Sequence, residues 1–440
     1  MTAALPDKAA LEVDPREALE PFRPGVDGAW DRGAAAHLLR RAGFGAAPAE
    51  IDRALAAGAE ATARELYRLQ EEPEELTFVA NSAAQLSSLP AAQAAWVLRM
   101  ARGPSPAIEK LALFWHGRFA TSNAKVDDVR LMMRQIDLFR LHGTSPFAEL
   151  LLGVAKDPAM LLWLDGNSNR RGKPNENFAR EIMELFALGI GNYTEADIKE
   201  AARAFTGWHV KDREFWFNDR AHDPGPKTVF GKTGPFGGEE LVRLCAEREA
   251  CSEFIASKLF EFYVHPEPSV PLRPELGRAY AGCGQKTGEF LVRLLSSRVF
   301  FSPRARRALV ASPVEFVVGS LRTLEAFASP HQLARAITAM GQELFQPPSV
   351  KGWDAGFSWL SSGTLLARYR FAQGLNSESG GDLEPQVQWD RIGSDAALIV
   401  ARFFPEGVAP QTVEDLLAAS KGESRSVVVG CLELPEAQFV

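Results

Sequence analysis

"SPAIEKLALFWHG", residues 105–117, carries its own punctuation. Ser105 reads as a helix N-cap, Pro106 as the first helical residue and Gly117 as the stop. The same grammar recurs on both sides. "AAAHLLRRAGFG" and "PAEIDRALAAG" close on glycine. "VDDVRLMMRQIDLFRLHG", "SPFAELLLGVAKDP", "SEFIASKLFEFYV", "GEFLVRLLSS" and "SPHQLARAITAMGQELF" show apolar stripes of helical period. Ser312 and Glu315 have the spacing of a capping box, as do Thr194 and Asp197. No fixed-period repeat is visible, which argues against a solenoid. The fold class expected is mainly α: an irregular multi-helix body with a small inserted β-ribbon and ordered aromatic loops.

The ribbon is expected at about 213–231. "REFWFND" (213–219) is aromatic and strand-like, "KTVFG" (227–231) is short and β-branched, and "RAHDPGP" between them is a turn cluster. "EADIKEAARAFTGWHV" before it reads as a helix with Trp208 in its apolar stripe. "FQPPSVKGWDAGFSW" (345–359) holds too many prolines and glycines for a long helix and reads as an ordered aromatic loop. The domain reading is a flexible leader over 1–28 and a helical main domain over 29–375. A linker over 376–390 then leads to short helices over 391–440, packed on the main domain.

Hydrophobic residues make up 46% of the 440-residue chain and charged residues 24%, so a large core can form. The net charge of -7 disfavours a general phosphate-backbone binder, and no nucleic-acid partner is expected. The four cysteines, Cys245, Cys251, Cys283 and Cys431, match no zinc spacing and read as isolated buried thiols. No basic-then-apolar leader and no membrane-length apolar run is present. The expected location is cytoplasmic, with no membrane span.

The polar chemistry centres on "NENFAREIMELFALGIGNYTE" (175–195). On a helical wheel Glu176, Arg180, Glu184 and Glu181 fall at about 0°, 40°, 80° and 140°, opposite Phe178, Ile182, Leu185 and Phe186. An i,i+4 salt-bridged surface accounts for this pattern. A functional face does too, because Glu181 and Glu184 point the same way and could serve as acid and base or hold a cation. The catalytic candidates are Glu181, Glu184, His222 and Asp223. Arg180, Lys227, Asn175, Trp208 and Trp353 are the substrate-binding candidates. A divalent metal, if bound, would take Glu181, Glu184, His116 and His222. The basic loop Arg170, Arg171, Lys173 would lie beside the acids. "GPKTVFGKTG" is not a P-loop: Gly225 lies six residues before Gly231, and turn residues follow.

Several of these stretches together resemble a known family. They are "LALFWHGRFATSNAKV", "DPAMLLWLDGNSNRRGKPNENFAREIMELFALGIGNYTEADIKEAARAFTGW", "HDPGPKTVFG", "SPVEFVVGSLR" and "FQPPSVKGWDAG". The chain resembles the bacterial family of domain of unknown function 1800 (DUF1800), from about "HLLRRAGFG" to "LLARYRF". The resemblance implies a mostly helical fold and a bacterial source, and assigns no reaction. It implies a sulfatase-like protein encoded nearby as partner. Members often carry export signals, from which this chain departs. Two functional readings stand. One is an enzyme or metal-dependent binding protein, with a Glu/Arg/His site between the 175–190 helix and the 213–231 ribbon. The alternative is a non-catalytic module that assembles or escorts a neighbouring surface or secreted protein.

Overall fold

The computed structural model describes residues 13–376 and 383–440. Among them are 23 α-helices and two separate two-stranded antiparallel sheets. The first helix, α1 (Arg32–Ala42), starts where Asp31 accepts the Ala34 amide at 2.9 Å. The second to be named, α2 (Pro106–Arg118), is the one announced by "SPAIEKLALFWHG". Every residue from Ala107 to His116 is buried, so α2 runs through the interior instead of showing one face to water. The two charges within that buried stretch, Glu109 and Lys110, are therefore struts. Trp96 Nε1 and Arg140 donate to Glu109 at 3.0 and 2.7 Å, and Lys110 meets Glu315 at 2.7 Å.

The punctuation of α2 differs in detail from the reading above. Ser105 makes no cap bond, and its hydroxyl accepts the Gln70 amide instead. Gly117 does not stop the helix, which runs to Arg118. A close crossing lies there: a Cβ on Gly352, whose φ is +86°, would lie 2.3 Å from the Gly117 carbonyl oxygen.

Three helices matter below: α3 (Glu176–Glu181), α4 (Glu195–Ala204) and α5 (Pro313–Leu324). Both expected capping boxes are present, Thr194–Asp197 on α4 and Ser312–Glu315 on α5. After α4 the chain leaves the helix at Gly207 (φ +85°). There a Cβ would meet the Asn218 carbonyl oxygen at 2.6 Å. Trp208 is thus not on the helix but opens strand β1 (Trp208–Lys211), which pairs with β2 (Glu214–Phe217) in the register Trp208↔Phe217. A second hairpin, β3 (Lys227–Val229) with β4 (Lys232–Gly234), follows. So 213–219 and 227–231 each hold a strand, Glu214–Phe217 and Lys227–Val229, but each strand pairs with its sequence neighbour and not with the other. The two-residue turns explain this: Asp212 and Arg213, then Phe230 and Gly231, all have positive φ, as tight hairpins require.

One buried apolar cluster extends from Ala18 to Val440, with a small satellite around Ile51. The stretch expected to be a loose leader is described from residue 13, and there it is docked. Ala18, Leu19 and Phe22 are buried, and Phe22 donates its amide to Ser296. Of the expected linker, 377–382 lie outside the described residues; beyond them Gln386 exchanges two main-chain hydrogen bonds with Phe327. The chain end is laced into the body by Ala311 N to Gln438 O and Val440 N to Leu309 O, each 2.8 Å. No helix of the described residues is long and apolar enough to cross a membrane. The cysteines are unpaired, with Cys245, Cys251 and Cys431 buried and Cys283 half-buried.

Candidate functional site

Asn175 caps α3. Its side-chain oxygen accepts the Asn177 amide at 3.1 Å, and its amide donates to the Asp165 carbonyl and the Ser168 hydroxyl. The residue is spent on holding the 164–175 loop. Beyond Glu181 the helix widens into a π-turn over Ile182–Ala187, closed by Leu188 N to Met183 O at 2.8 Å. Such widened turns cluster at functional sites. Phe178, Ile182 and Phe186 are buried as the wheel required, with Leu185 half-buried.

All four charged residues of the opposite side are half-buried. Arg180 makes a bidentate pair with Glu195 at 2.9 and 2.8 Å and lies 3.5 Å from Glu176. With Glu195 largely exposed, solvent screens that pair and it adds little to stability. Glu184 accepts the Tyr193 hydroxyl at 2.7 Å. Glu181 differs: its carboxylate has no hydrogen-bond or ion-pair partner among the described residues. Burial, then the neighbouring Glu184 carboxylate, raises the Glu181 carboxyl above the usual range, while Arg180 and Lys351 pull it back.

The other acids and bases expected at this face are engaged elsewhere. Asp223 pairs with Arg203 at 2.8 Å and accepts the Gly225 amide, and the guanidinium holds its carboxyl down at about 2. His222 Nδ1 lies 2.8 Å from the Thr206 carbonyl, and its ring packs on Phe217. Lys227 is buried and donates to the Asp223 and Gly225 carbonyls at 2.6 and 3.0 Å. Arg203 also binds Glu200, which accepts the Thr228 amide. "HDPGPKT" is thus a clasp that ties the second hairpin to α4. Trp208 is core, edge-on to Phe205 and Phe215. The basic loop is exposed and leans on the clasp through Arg171 N to Ala221 O, at 2.7 Å.

The 345–353 loop acts on the α3 face through its charge. Lys351 acts electrostatically on Glu181. Next to it, Gly352 abuts Gly117. Arg118 then donates to the Leu185 carbonyl in the π-turn at 3.0 Å, with its guanidinium over the Phe254 ring. Trp353 stands edge-on to His116 at 5.3 Å. His116 is fully buried among Trp96, Phe345 and Trp353, and neither ring nitrogen has a partner. Burial pushes its imidazole down to about 3, so it is neutral and not a charge partner for the helix end.

Of the sequence-chosen residues, Glu181 and Glu184 act on each other and His116 packs on Trp353; the loop that carries Trp353 also carries Lys351, whose charge acts on Glu181. His222, Asp223 and Lys227 belong to a different network. Among the described residues no group of three or more His, Cys, Asp or Glu side chains is arranged to hold a metal ion. Tyr193, Lys351 and Arg118 are neighbours the sequence did not single out. Tyr193 is the only one with a local signal, lying just past the Gly189–Gly191 break. A model of a family described as "Protein of unknown function (DUF1800)" matches residues 37–439. No curated protein and no solved structure matches the chain.

Proposed function

The chain belongs to this family, whose description carries no reaction, and we propose that it binds a ligand through a cationic group at Glu181. The observation that carries this reading is the Glu181 carboxylate: half-buried, beside Glu184, and without a partner while the other charges on the face have theirs. A half-buried carboxylate loses part of its hydration and is repelled by Glu184, and an incoming ammonium or amidinium would relieve both. Glu184, oriented by Tyr193, would share the charge, and Lys351 would set the reach of the site. Two carboxylates supply fewer ligands than a calcium or zinc ion usually takes from protein, and no third His, Cys, Asp or Glu joins them among the described residues, so an organic cation is the ligand proposed. The test is calorimetry with choline, putrescine and arginine amide on the wild type and Glu181→Gln. Saturable binding of one of them, lost in the variant, supports the reading. No binding by any, or equal binding by the variant, removes it.

The assembly or escort reading is favoured by a second observation. On α6 (Ser362–Gly374), Leu365, Leu366 and Tyr369 are 42%, 49% and 49% exposed, with Phe357 at 61% on the preceding turn. Grouped apolar side chains of this kind mark contact surfaces. The partner to test is the sulfatase-like protein that the family resemblance implies. Co-purification abolished by Leu366→Glu would favour it, and co-purification unchanged by that variant would count against it.

A further inference from the structure

The first hairpin has one covered edge and one open edge. Its register pairs Lys211 with Glu214 across a two-residue turn. In such a turn the flanking pair exchanges main-chain hydrogen bonds, and so does every second pair after it. Lys211 with Glu214 and His209 with Trp216 are therefore the bonded pairs, and the ladder continues with Asn218 N to Gly207 O at 2.7 Å. The main-chain groups of Trp208, Val210, Phe215 and Phe217 then point away from the ribbon. On β1 the outward amides are taken: Val210 N donates to Asn167 Oδ1 at 2.7 Å, and Trp208 N to the Phe205 carbonyl at 3.2 Å. On β2 no hydrogen bond reaches the outward N–H or C=O of Phe215 or Phe217 among the described residues.

This edge is held in place at both ends. Arg134 pairs with Glu214 and Arg213 with Asp128, which pins the turn to the helical body. At the other end the Gly207 amide and His209 Nε2 each lie 3.2 Å from the Asn169 carbonyl. Trp216 and Phe217 stay 42% and 43% exposed. Positive charge surrounds them. Lys211 leans across β2, its Nζ 5.4 Å from the centre of the Trp216 ring. Arg220 follows shortly after Phe217, and the neighbouring Ala221 carbonyl takes the Arg171 amide, which sets the turn Arg170, Arg171, Lys173 alongside. All five cations are exposed, and none has an ion pair among the described residues. The acids of the same segments that lack an ion pair are Asp212 and Asp219. In a chain of net charge -7 this is a local reversal of sign.

An unpaired strand edge is a template for another strand. The charges decide which strand. A second copy, pairing β2 to β2, would bring each set of cations against its twin, and like charges across a ladder repel. An acidic strand is attracted instead. We infer that β2 is a docking edge for an extended acidic segment of another protein. The segment adds to the ribbon as a third strand, its main chain bonding to Phe215 and Phe217 and its carboxylates facing Lys211, Arg220 and the 170–173 turn.

The experiment is fluorescence anisotropy on the full chain with a labelled, end-blocked peptide of alternating glutamate and valine. A lysine–valine peptide and an oligothymidine are the comparisons. Saturable binding of the glutamate peptide is expected, with the lysine peptide weaker by at least ~10-fold. Phe217→Pro deletes an outward amide at an edge position that tolerates proline, and should weaken binding by at least ~10-fold. Phe217→Ala keeps that amide and should lose clearly less; both variants are first shown to be folded by circular dichroism. A glutamate peptide methylated on every amide nitrogen tests the same bonds with the protein unaltered, and should not bind. Arg171→Glu combined with Arg220→Glu should weaken the glutamate peptide and strengthen the lysine one. The assignment is overturned by no saturable binding of the glutamate peptide in the millimolar range, by equal binding of the lysine peptide, or by binding of the methylated one. Tighter binding of oligothymidine would overturn it in favour of a nucleic-acid surface. Dimerisation of the wild type that Phe217→Pro abolishes would overturn it in favour of a second copy.

Discussion

Glu181 is half-buried beside a like charge, an arrangement that works against stability. Replacing it with glutamine removes a half-buried charge and its repulsion from Glu184. Glu181→Gln should therefore leave stability unchanged or raise it by up to ~1 kcal/mol while abolishing ligand binding. A urea midpoint clearly below the wild type would show that the carboxylate is a structural partner instead. His116 makes a prediction about pH. Its folded pKa of about 3 lies below the ordinary 6.5, so the unfolded chain binds more protons. Stability from this residue is whole above pH 6.5 and is lost as pH falls toward 3, by up to about 1.4 kcal/mol per pH unit. Asp157, raised to about 6 by burial, acts with the opposite sign over an overlapping window. The measurement is therefore a difference: His116→Phe should lose less melting temperature than the wild type between pH 7 and 4. Parallel curves would mean that the imidazole is hydrated.

Between elements, the contact that shapes the site is the crossing of α2 by the 345–353 loop. Gly352→Ala combines a positive φ with a clash against backbone, which cannot move aside. Gly58 is its control, since its φ is +88° and nothing lies within 4 Å of an added Cβ. Gly58→Ala should cost about 1–3 kcal/mol, the penalty of a backbone conformation that essentially only glycine adopts. Gly352→Ala should cost clearly more and shift the fluorescence of Trp353, because Lys351 and Trp353 flank it. Equal costs in urea denaturation would mean that the crossing is not tight. The clasp between α4 and the second hairpin predicts a different signature. Arg203→Met strands Asp223 and Glu200 together, so hydrogen exchange should quicken in 222–234 while the α3 face stays protected.

Across the whole molecule, the last residues act as a latch. Gln438, the Glu436 carbonyl and Val440 accept from Arg368, Arg307 and Arg41, which lie far apart in sequence. Removing 436–440 would take one acceptor from each of these buried guanidiniums, which keep only the Ala311 carbonyl, Glu406 and the Tyr263 carbonyl, a loss of the order of 3 kcal/mol or more. Urea denaturation of the truncated chain checks this, and a midpoint near that of the full chain would show that water replaces the latch. Glu406 links the same region to pH. Burial opposes its charge, but Arg40 and Arg307 hold its carboxyl down at about 2. Its contribution is present above the ordinary carboxylate pKa and disappears as pH falls toward 2, so Glu406→Gln should narrow its deficit against the wild type in acid.

The helical class was legible because local rules carry it. Capping boxes at Thr194 and Ser312 need only residues three apart, and the apolar arc of Phe178, Ile182 and Phe186 needs only helical period. The amphipathic face at 175–190 was legible for the same reason, as was the irregular course of 345–359. At the proposed site, Glu181 and Glu184 were legible as neighbours from helical spacing, whereas the packing of His116 on Trp353 was not. Nothing local says that His222 and Lys227 will be consumed by Thr206 and the carbonyls of their own turn. Nor does anything local say that a loop some 170 residues downstream will bring Lys351 to Glu181. Whether a charged side chain is free depends on burial and on partners distant in sequence. The free energy of a carboxylate is set by everything within a few ångströms of it, and only the folded chain fixes that neighbourhood.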